Sequence, residues 1–147
     1  SFVSEVREFF DVLIILAGGI GTGAAVRAAV VAGADLCYMG TRFIAAVESI
    51  ASEEYKQMVI EACYEDLILT DKVTGAKAYY LRQSLEKMGL DPQNIDSGKG
   101  INLSDSQNQI RAWKDVWSAG HGVGAVKTRE SLATIISQLH YEYRLAC

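Results

Sequence analysis

An uninterrupted apolar run, Val12-Leu13-Ile14-Ile15-Leu16, that ends in a glycine cluster constrains this chain more than any other feature. Five apolar residues without alternation describe a strand buried on both faces, the kind found in parallel sheets rather than in antiparallel sheets with a wet face. Ala17-Gly18-Gly19-Ile20-Gly21-Thr22-Gly23 follows, and Ala24 to Val31 then has the small-residue content of a short helix packed closely on a sheet, with Gly33 placed to end it. Asp35-Leu36-Cys37-Tyr38-Met39 reads as the next strand and closes on Gly40-Thr41. Strand, glycine loop, helix, strand is a βαβ unit. The opening third therefore predicts an α/β chain with two adjacent parallel strands, joined by the helix from Thr22 to Ala32 as a right-handed crossover.

Around this unit the patterns are helical. Val3 to Phe10 has apolar residues at 3, 6, 9 and 10. Ser52 is placed to cap a helix with Tyr55, Met58, Val59 and Ala62 on one face and Glu53, Glu54, Lys56 and Glu61 on the other. Leu67 to Thr70 reads as a short strand. Asp71 to Ser106, with Pro92 as the only proline, reads as a surface excursion. Ile110 to Trp117 has a helical spacing, with Trp113 and Trp117 at i, i+4. After a second glycine cluster, Gly120-His121-Gly122-Val123-Gly124, a final helix from Thr128 or Arg129 to Leu145 carries Leu132, Ile135, Ile136 and Leu139 as its buried stripe.

Composition narrows the function classes. The 147 residues are 50% hydrophobic and 22% charged, which is globular, and a formal net charge of -4 has the wrong sign for a binder of phosphate backbones, so no nucleic-acid partner is expected. Val12 to Ile20, the longest uncharged apolar run, falls far short of the ~20 residues of a membrane span. A soluble, cytoplasmic protein without a membrane partner is the expectation. Cys37, Cys63 and Cys147 are odd in number and lack metal-site spacing, which predicts reduced thiols and no metal. Glu53, Glu54 and Glu61 have the spacing of a solvated face. The chain opens on Ser1 with no capping signal or turn before its first helical stretch, so a segment of a longer protein is expected.

A glycine turn between a buried strand and a helix lets backbone N–H groups and the helix dipole hold an anion, although such turns also occur without a ligand. Gly19, Gly21 and Ala24 fit the G-x-G-x-x-A dinucleotide pattern, but the carboxylate that should end the second strand is missing, because Asp35 opens it. Gly40-Thr41 at the end of the neighbouring strand points instead to one phosphate gripped between two strand ends, as in the last two βα loops of TIM barrels. Asp35 and Arg42 are placed to pair with each other, with a substrate role for Arg42 as the alternative.

These residues carry a resemblance to a known family. Ile14-Ile15-Leu16-Ala17-Gly18-Gly19-Ile20, Ala32-Gly33-Ala34-Asp35 and Tyr38-Met39-Gly40-Thr41-Arg42-Phe43 resemble the nitronate monooxygenases, formerly called 2-nitropropane dioxygenases. The likeness continues through Tyr55-Lys56-Gln57-Met58, Tyr80-Leu81-Arg82 with Ser84, Gly89-Leu90-Asp91-Pro92, Ala112-Trp113-Lys114-Asp115 and Trp117-Ser118-Ala119-Gly120. It implies an FMN-dependent TIM barrel that oxidises nitronates, its flavin then reoxidised by dioxygen. It implies that Gly18, Gly19, Gly40 and Thr41 hold the FMN phosphate, with Met39 close to the cofactor. His121 stands where the family's glycine cluster has glutamine.

The family's catalytic histidine lies upstream of the AGGI strand, and neither His121 nor His140 maps onto it, so no catalytic residue is assigned in this chain. His140 reads as a surface or packed side chain. A TIM barrel takes ~250 residues and eight strands, and the resemblance makes the two strands here its last two. The expectation is the C-terminal part of a single barrel domain, with residues 42–110 as a helical and irregular insertion. By itself it should be inactive and should self-associate through its uncovered strands, the alternative being a rearrangement that folds the excursion and terminal helix over the exposed face. A flavin-dependent enoyl-acyl-carrier-protein reductase, with the same phosphate loops, and a non-catalytic piece without flavin are the alternatives.

Overall fold

The computed structural model describes residues 1–92, 95 and 116–146. Its first unit is α1 (Phe2–Arg7), β1 (Ile15–Ala17), α2 (Gly23–Val31) and β2 (Leu36–Tyr38). β1 and β2 are parallel neighbours, with Ile15 opposite Leu36, Leu16 opposite Cys37 and Ala17 opposite Tyr38. Thr22 caps α2 by accepting the Ala25 N–H, and Gly33 turns the chain just past the Ala32 C-cap with a φ of +110° that favours glycine. Ser1 caps α1 by accepting the Ser4 N–H, a cap that the sequence reading does not anticipate.

Side-chain alternation gives the strand pair two different faces. Ile14, Leu16, Cys37 and Met39 pack with Val3, Ile20, Ala29 and Ala34 against the helices. Ile15, Leu36 and Tyr38 are 53%, 52% and 70% exposed, so among the described residues the sheet is covered on one face and not on two.

The second unit follows α3 (Thr41–Ile44). α4 (Glu53–Glu61) is capped by Ser52 and buries Met58 and Val59, as its pattern predicts. Lys56 departs from the expected solvent face: it is 3% exposed and donates through Nζ to the Val47 carbonyl at 3.3 Å. β3 (Leu67–Thr70) pairs antiparallel with β4 (Ala78–Leu81), and α5 (Arg82–Lys87) follows. Val73, Tyr80, Leu81 and Leu85 are fully buried, which corrects the reading of the described part of Asp71 to Ser106 as a surface excursion. Trp117 stacks on Tyr55 at 5.1 Å, a packing role; Trp113, Lys114 and Asp115 lie outside the described residues.

The last helix, α6, runs from Leu132 to Leu145, capped by Ser131, and starts three or four residues later than its sequence pattern predicts. Ile135 and Leu139 are buried, whereas Leu132 and Ile136 are 41% and 54% exposed. Gly23 brings α2 close against the C-terminal half of α6: a Cβ on Gly23 would lie 2.0 Å from the Leu139 carbonyl oxygen. Close backbone contact replaces side-chain burial along that seam.

Candidate functional site

The two parallel strands deliver their C-terminal ends side by side, one into Gly18-Gly19 and the other into Gly40-Thr41. Gly18 and Gly19 turn the chain with φ of +95° and +71°, values that a residue with a Cβ rarely adopts. Gly40 differs. Its φ is -109° and a Cβ there would meet nothing within 4 Å, so neither backbone geometry nor packing among the described residues demands glycine. The N–H groups of Gly18, Gly19 and Gly40 have no acceptor among the described residues.

Thr41 adds a side-chain donor to this edge. Its Oγ1 accepts the Gly120 N–H at 2.8 Å, which occupies one lone pair, while its own proton has no acceptor among the described residues. Thr41, Gly40, Ile44, Tyr79, Ser118 and Gly120 line an open depression of about 430 Å³. Ser118 also accepts the Tyr55 hydroxyl at 2.5 Å, and burial pushes the Tyr55 phenol above its ordinary value.

The second glycine cluster lies directly on the first. A Cβ on Gly21 would come within 2.8 Å of the Ala125 Cβ and 2.9 Å of the Gly122 carbonyl oxygen, and one on Gly122 within 3.3 Å of the Ile20 oxygen. His121 is thereby set beside Gly19, its Cβ 3.9 Å from where a Gly19 Cβ would stand. Its ring meets Tyr79 edge-on at 4.5 Å and Tyr64 at 5.2 Å. Sequence reading does not bring Tyr64 and Tyr79 to the site, although two glycine clusters in one chain already hint at a close backbone contact.

Other candidates fall elsewhere. Met39 precedes Gly40 but turns its side chain into the layer between the sheet, α2 and α6. The expected Asp35–Arg42 pair does not form. Asp35 meets Arg7 at 2.5 Å and accepts the Ile14 N–H at 2.8 Å, and these bonds hold its carboxyl below the usual carboxylate range. Arg42, 4% exposed, pairs with Glu130 at 2.8 Å and donates to Gln138 at 3.0 Å, so its role is structural.

His140 is exposed on α6. Cys37 and Cys63 are free thiols, burial raises that of Cys37, and Cys147 lies outside the described residues. Among the described residues no His, Cys, Asp and Glu group could hold a metal, and no helix is long and apolar enough to cross a membrane.

This geometry has counterparts among known proteins. The chain is 26% identical over 140 residues to a nitronate monooxygenase of Paraburkholderia phytofirmans, covering 89% of this chain and 38% of that protein. It is 31% identical over 126 residues to a probable nitronate monooxygenase of Staphylococcus haemolyticus, covering 80% of this chain and 35% of that one. It thus spans less than half the length of these relatives. Among solved structures it resembles FabK from Thermotoga maritima, with a TM-score of 0.71 and 25% identity over 97% of this chain and 48% of that one. It also resembles a nitroalkane oxidase from Streptomyces ansochromogenes, with a TM-score of 0.69 and 25% identity over 98% of this chain and 43% of that one. The family model for nitronate monooxygenase matches residues 1–139, and the chain belongs to that family.

Proposed function

We propose that this chain is the phosphate-holding part of an FMN-dependent oxidoreductase that oxidises nitronates with dioxygen. Gly18, Gly19, Gly40 and Thr41 would hold the FMN phosphate, with Met39 next to it in the chain. The observation that carries the reading is the set of donors without acceptors among the described residues at two adjacent strand ends: three glycine N–H groups and the Thr41 hydroxyl. A glycine at position 40 that nothing among the described residues requires leaves room for an anion to reach the main chain.

In this reading the chain's own residues bind and orient. The glycine N–H groups would fix the phosphate, and the Gly120 N–H would keep the Thr41 proton aimed away from Gly120 and toward the anion. When bound, the flavin supplies the oxidising equivalents that the nitronate requires, and dioxygen restores it. No residue of this chain is assigned as the base, which is proposed to lie outside this segment. The depression beside Tyr79 and Ser118 would border the bound cofactor.

The test separates phosphate recognition from flavin recognition. Thr41→Val removes a hydrogen bond to a charged group, worth about 1.5–3 kcal/mol, so FMN affinity should fall roughly tenfold to a hundredfold. Riboflavin, which lacks the phosphate, should bind T41V and the unsubstituted chain alike, and Thr41→Ser should keep FMN affinity. Equal losses for FMN and riboflavin, or no loss for either, would overturn the assignment.

A further inference from the structure

The two loops of the candidate site are joined from behind by α6. The Gly23 N–H, which follows the first loop, donates to Glu142 Oε2 at 2.7 Å. Glu142 Oε1 accepts from Gln138 Nε2 at 3.1 Å, and Gln138 Oε1 accepts from Arg42, the residue after Thr41, at 3.0 Å. Arg42 closes the chain on Glu130 at 2.8 Å. Each link has one donor and one acceptor, so the polarity of the chain fixes which way the Gln138 amide faces. Glu48 holds the start of α6 in place by accepting the Leu132 N–H at 2.9 Å.

We infer that Gln138 is a positioning residue: by bridging Glu142 and Arg42 it sets the spacing between the Gly18-Gly19 and Gly40-Thr41 loops, and through them the grip on an anion. The inference rests on the proposed phosphate site for its ligand, but its mechanical part does not. Replacing the Gln138 amide by a carboxylate would set two negative charges against each other at positions 138 and 142 while keeping an acceptor for Arg42. Repulsion would then act on the first loop through Gly23.

The experiment uses three forms of the full chain. Gln138→Glu should weaken FMN binding roughly threefold to tenfold, the scale of one or two ordinary hydrogen bonds, and leave riboflavin affinity unchanged. The double exchange Q138E with E142Q restores every link with the middle bond reversed: Gly23 to the 142 oxygen, the 142 amide to the 138 carboxylate, and Arg42 to that carboxylate. It should recover FMN affinity to within about twofold. In the ligand-free chain Q138E should speed amide hydrogen exchange at Gly23, whose N–H bonds Glu142, and together with it at Phe43 and Gly120, whose N–H groups bond the Gly40 carbonyl and Thr41 Oγ1, and the double exchange should reverse all three.

A ligand-free chain in which Q138E leaves exchange at Phe43 and Gly120 unchanged would overturn the coupling whatever the flavin does. If the unsubstituted chain shows no preference for FMN over riboflavin, the proposed function fails, and the exchange data still decide this inference. A loss of thermal stability in Q138E without a change in the FMN-to-riboflavin ratio or in loop exchange would reduce Gln138 to a packing contact and overturn the proposal.

Discussion

Glu142, near the end of the last helix, accepts the backbone N–H of Gly23 at the start of α2, 119 residues earlier in the chain, at 2.7 Å. The positive end of α2 is thereby neutralised by the protein's own carboxylate, and the Thr22 hydroxyl already accepts the Ala25 N–H. In the proposed reading an anion at this edge would meet the strand-end glycines and not the helix terminus. The glycine turn forms where its residues predict it, but the helix dipole expected to contribute is occupied inside the fold.

The same contact predicts an intolerant position. Gly23→Ala would place a methyl 2.0 Å from the Leu139 carbonyl oxygen and 2.5 Å from the Tyr143 backbone nitrogen, so α2 and α6 must separate. Overpacking of this kind costs about 1–3 kcal/mol, and the clash with backbone favours the upper end. Gly40→Ala meets nothing within 4 Å, so it should leave stability within about 0.5 kcal/mol of the unsubstituted chain. Denaturant unfolding of both variants checks the contrast; a G23A chain as stable as the parent would contradict the packing of α2 on α6.

Asp35 predicts an acid-side dependence. Its carboxyl is held below its ordinary value chiefly by the Ile14 N–H, then by the Arg7 hydrogen bond. The folded form therefore binds the proton more weakly than the unfolded form does. The stability this contributes is complete above the ordinary carboxylate value of about 3.9 and is lost as pH falls through the lower folded value. Asp35→Asn should flatten the fall in stability below about pH 4. Unfolding curves from neutral to strongly acid pH measure this, and an unchanged slope in D35N would assign the acid loss to other carboxylates.

What is legible in the sequence is local. The βαβ unit can be read because its signals sit within one stretch: an apolar run, a glycine turn, a small-residue helix and a capping glycine at position 33. The partners of Asp35 and Arg42 cannot, because Arg7 lies 28 residues before Asp35, Glu130 88 residues after Arg42, and nothing in residue spacing ties either pair together. β4 escapes for a different reason. Tyr80 and Leu81 are consecutive and both fully buried, since the Leu81 N–H bonds the Trp117 carbonyl and Ser118 bridges Tyr80, so the period of two is hidden. The site's donor set is half legible: its glycines stand out, whereas the contact of Thr41 with Gly120 spans 79 residues.

Catalysis gives a further expectation. Proton abstraction beside a nitro group needs a base within hydrogen-bond reach of the carbon acid. His140 faces outward on α6, and the His121 ring is held against Tyr64 and Tyr79. The 147-residue chain supplied with FMN should consume no oxygen with a neutral nitroalkane, whose α-proton must first be removed, and NAD(P)H-dependent enoyl reduction should likewise be absent. Nitroalkane turnover that His121→Gln abolishes would overturn this expectation and make His121 the base; turnover of an enoyl thioester would move the reaction to the reductase alternative.

The uncovered sheet face sets the last expectation. Ile15, Leu36 and Tyr38 project from the side of β1 and β2 that no described helix covers, and Val12 and Leu13 are 62% and 58% exposed beside them. Parallel strands of this composition are normally covered on both faces, and an apolar patch beyond a few hundred Å² seldom stays open to water in a monomer. The chain should therefore self-associate at micromolar concentration by burying this face against a second copy. Light scattering should report a dimer or larger species whose mass falls with dilution. Leu36→Lys puts a charge at the centre of the face and should shift the chain to monomer while its far-ultraviolet circular dichroism is kept, since the Leu36 side chain is half exposed on the open face. A monodisperse monomer that also excludes a hydrophobic dye would mean that the face is closed within one chain, and the association would be abandoned.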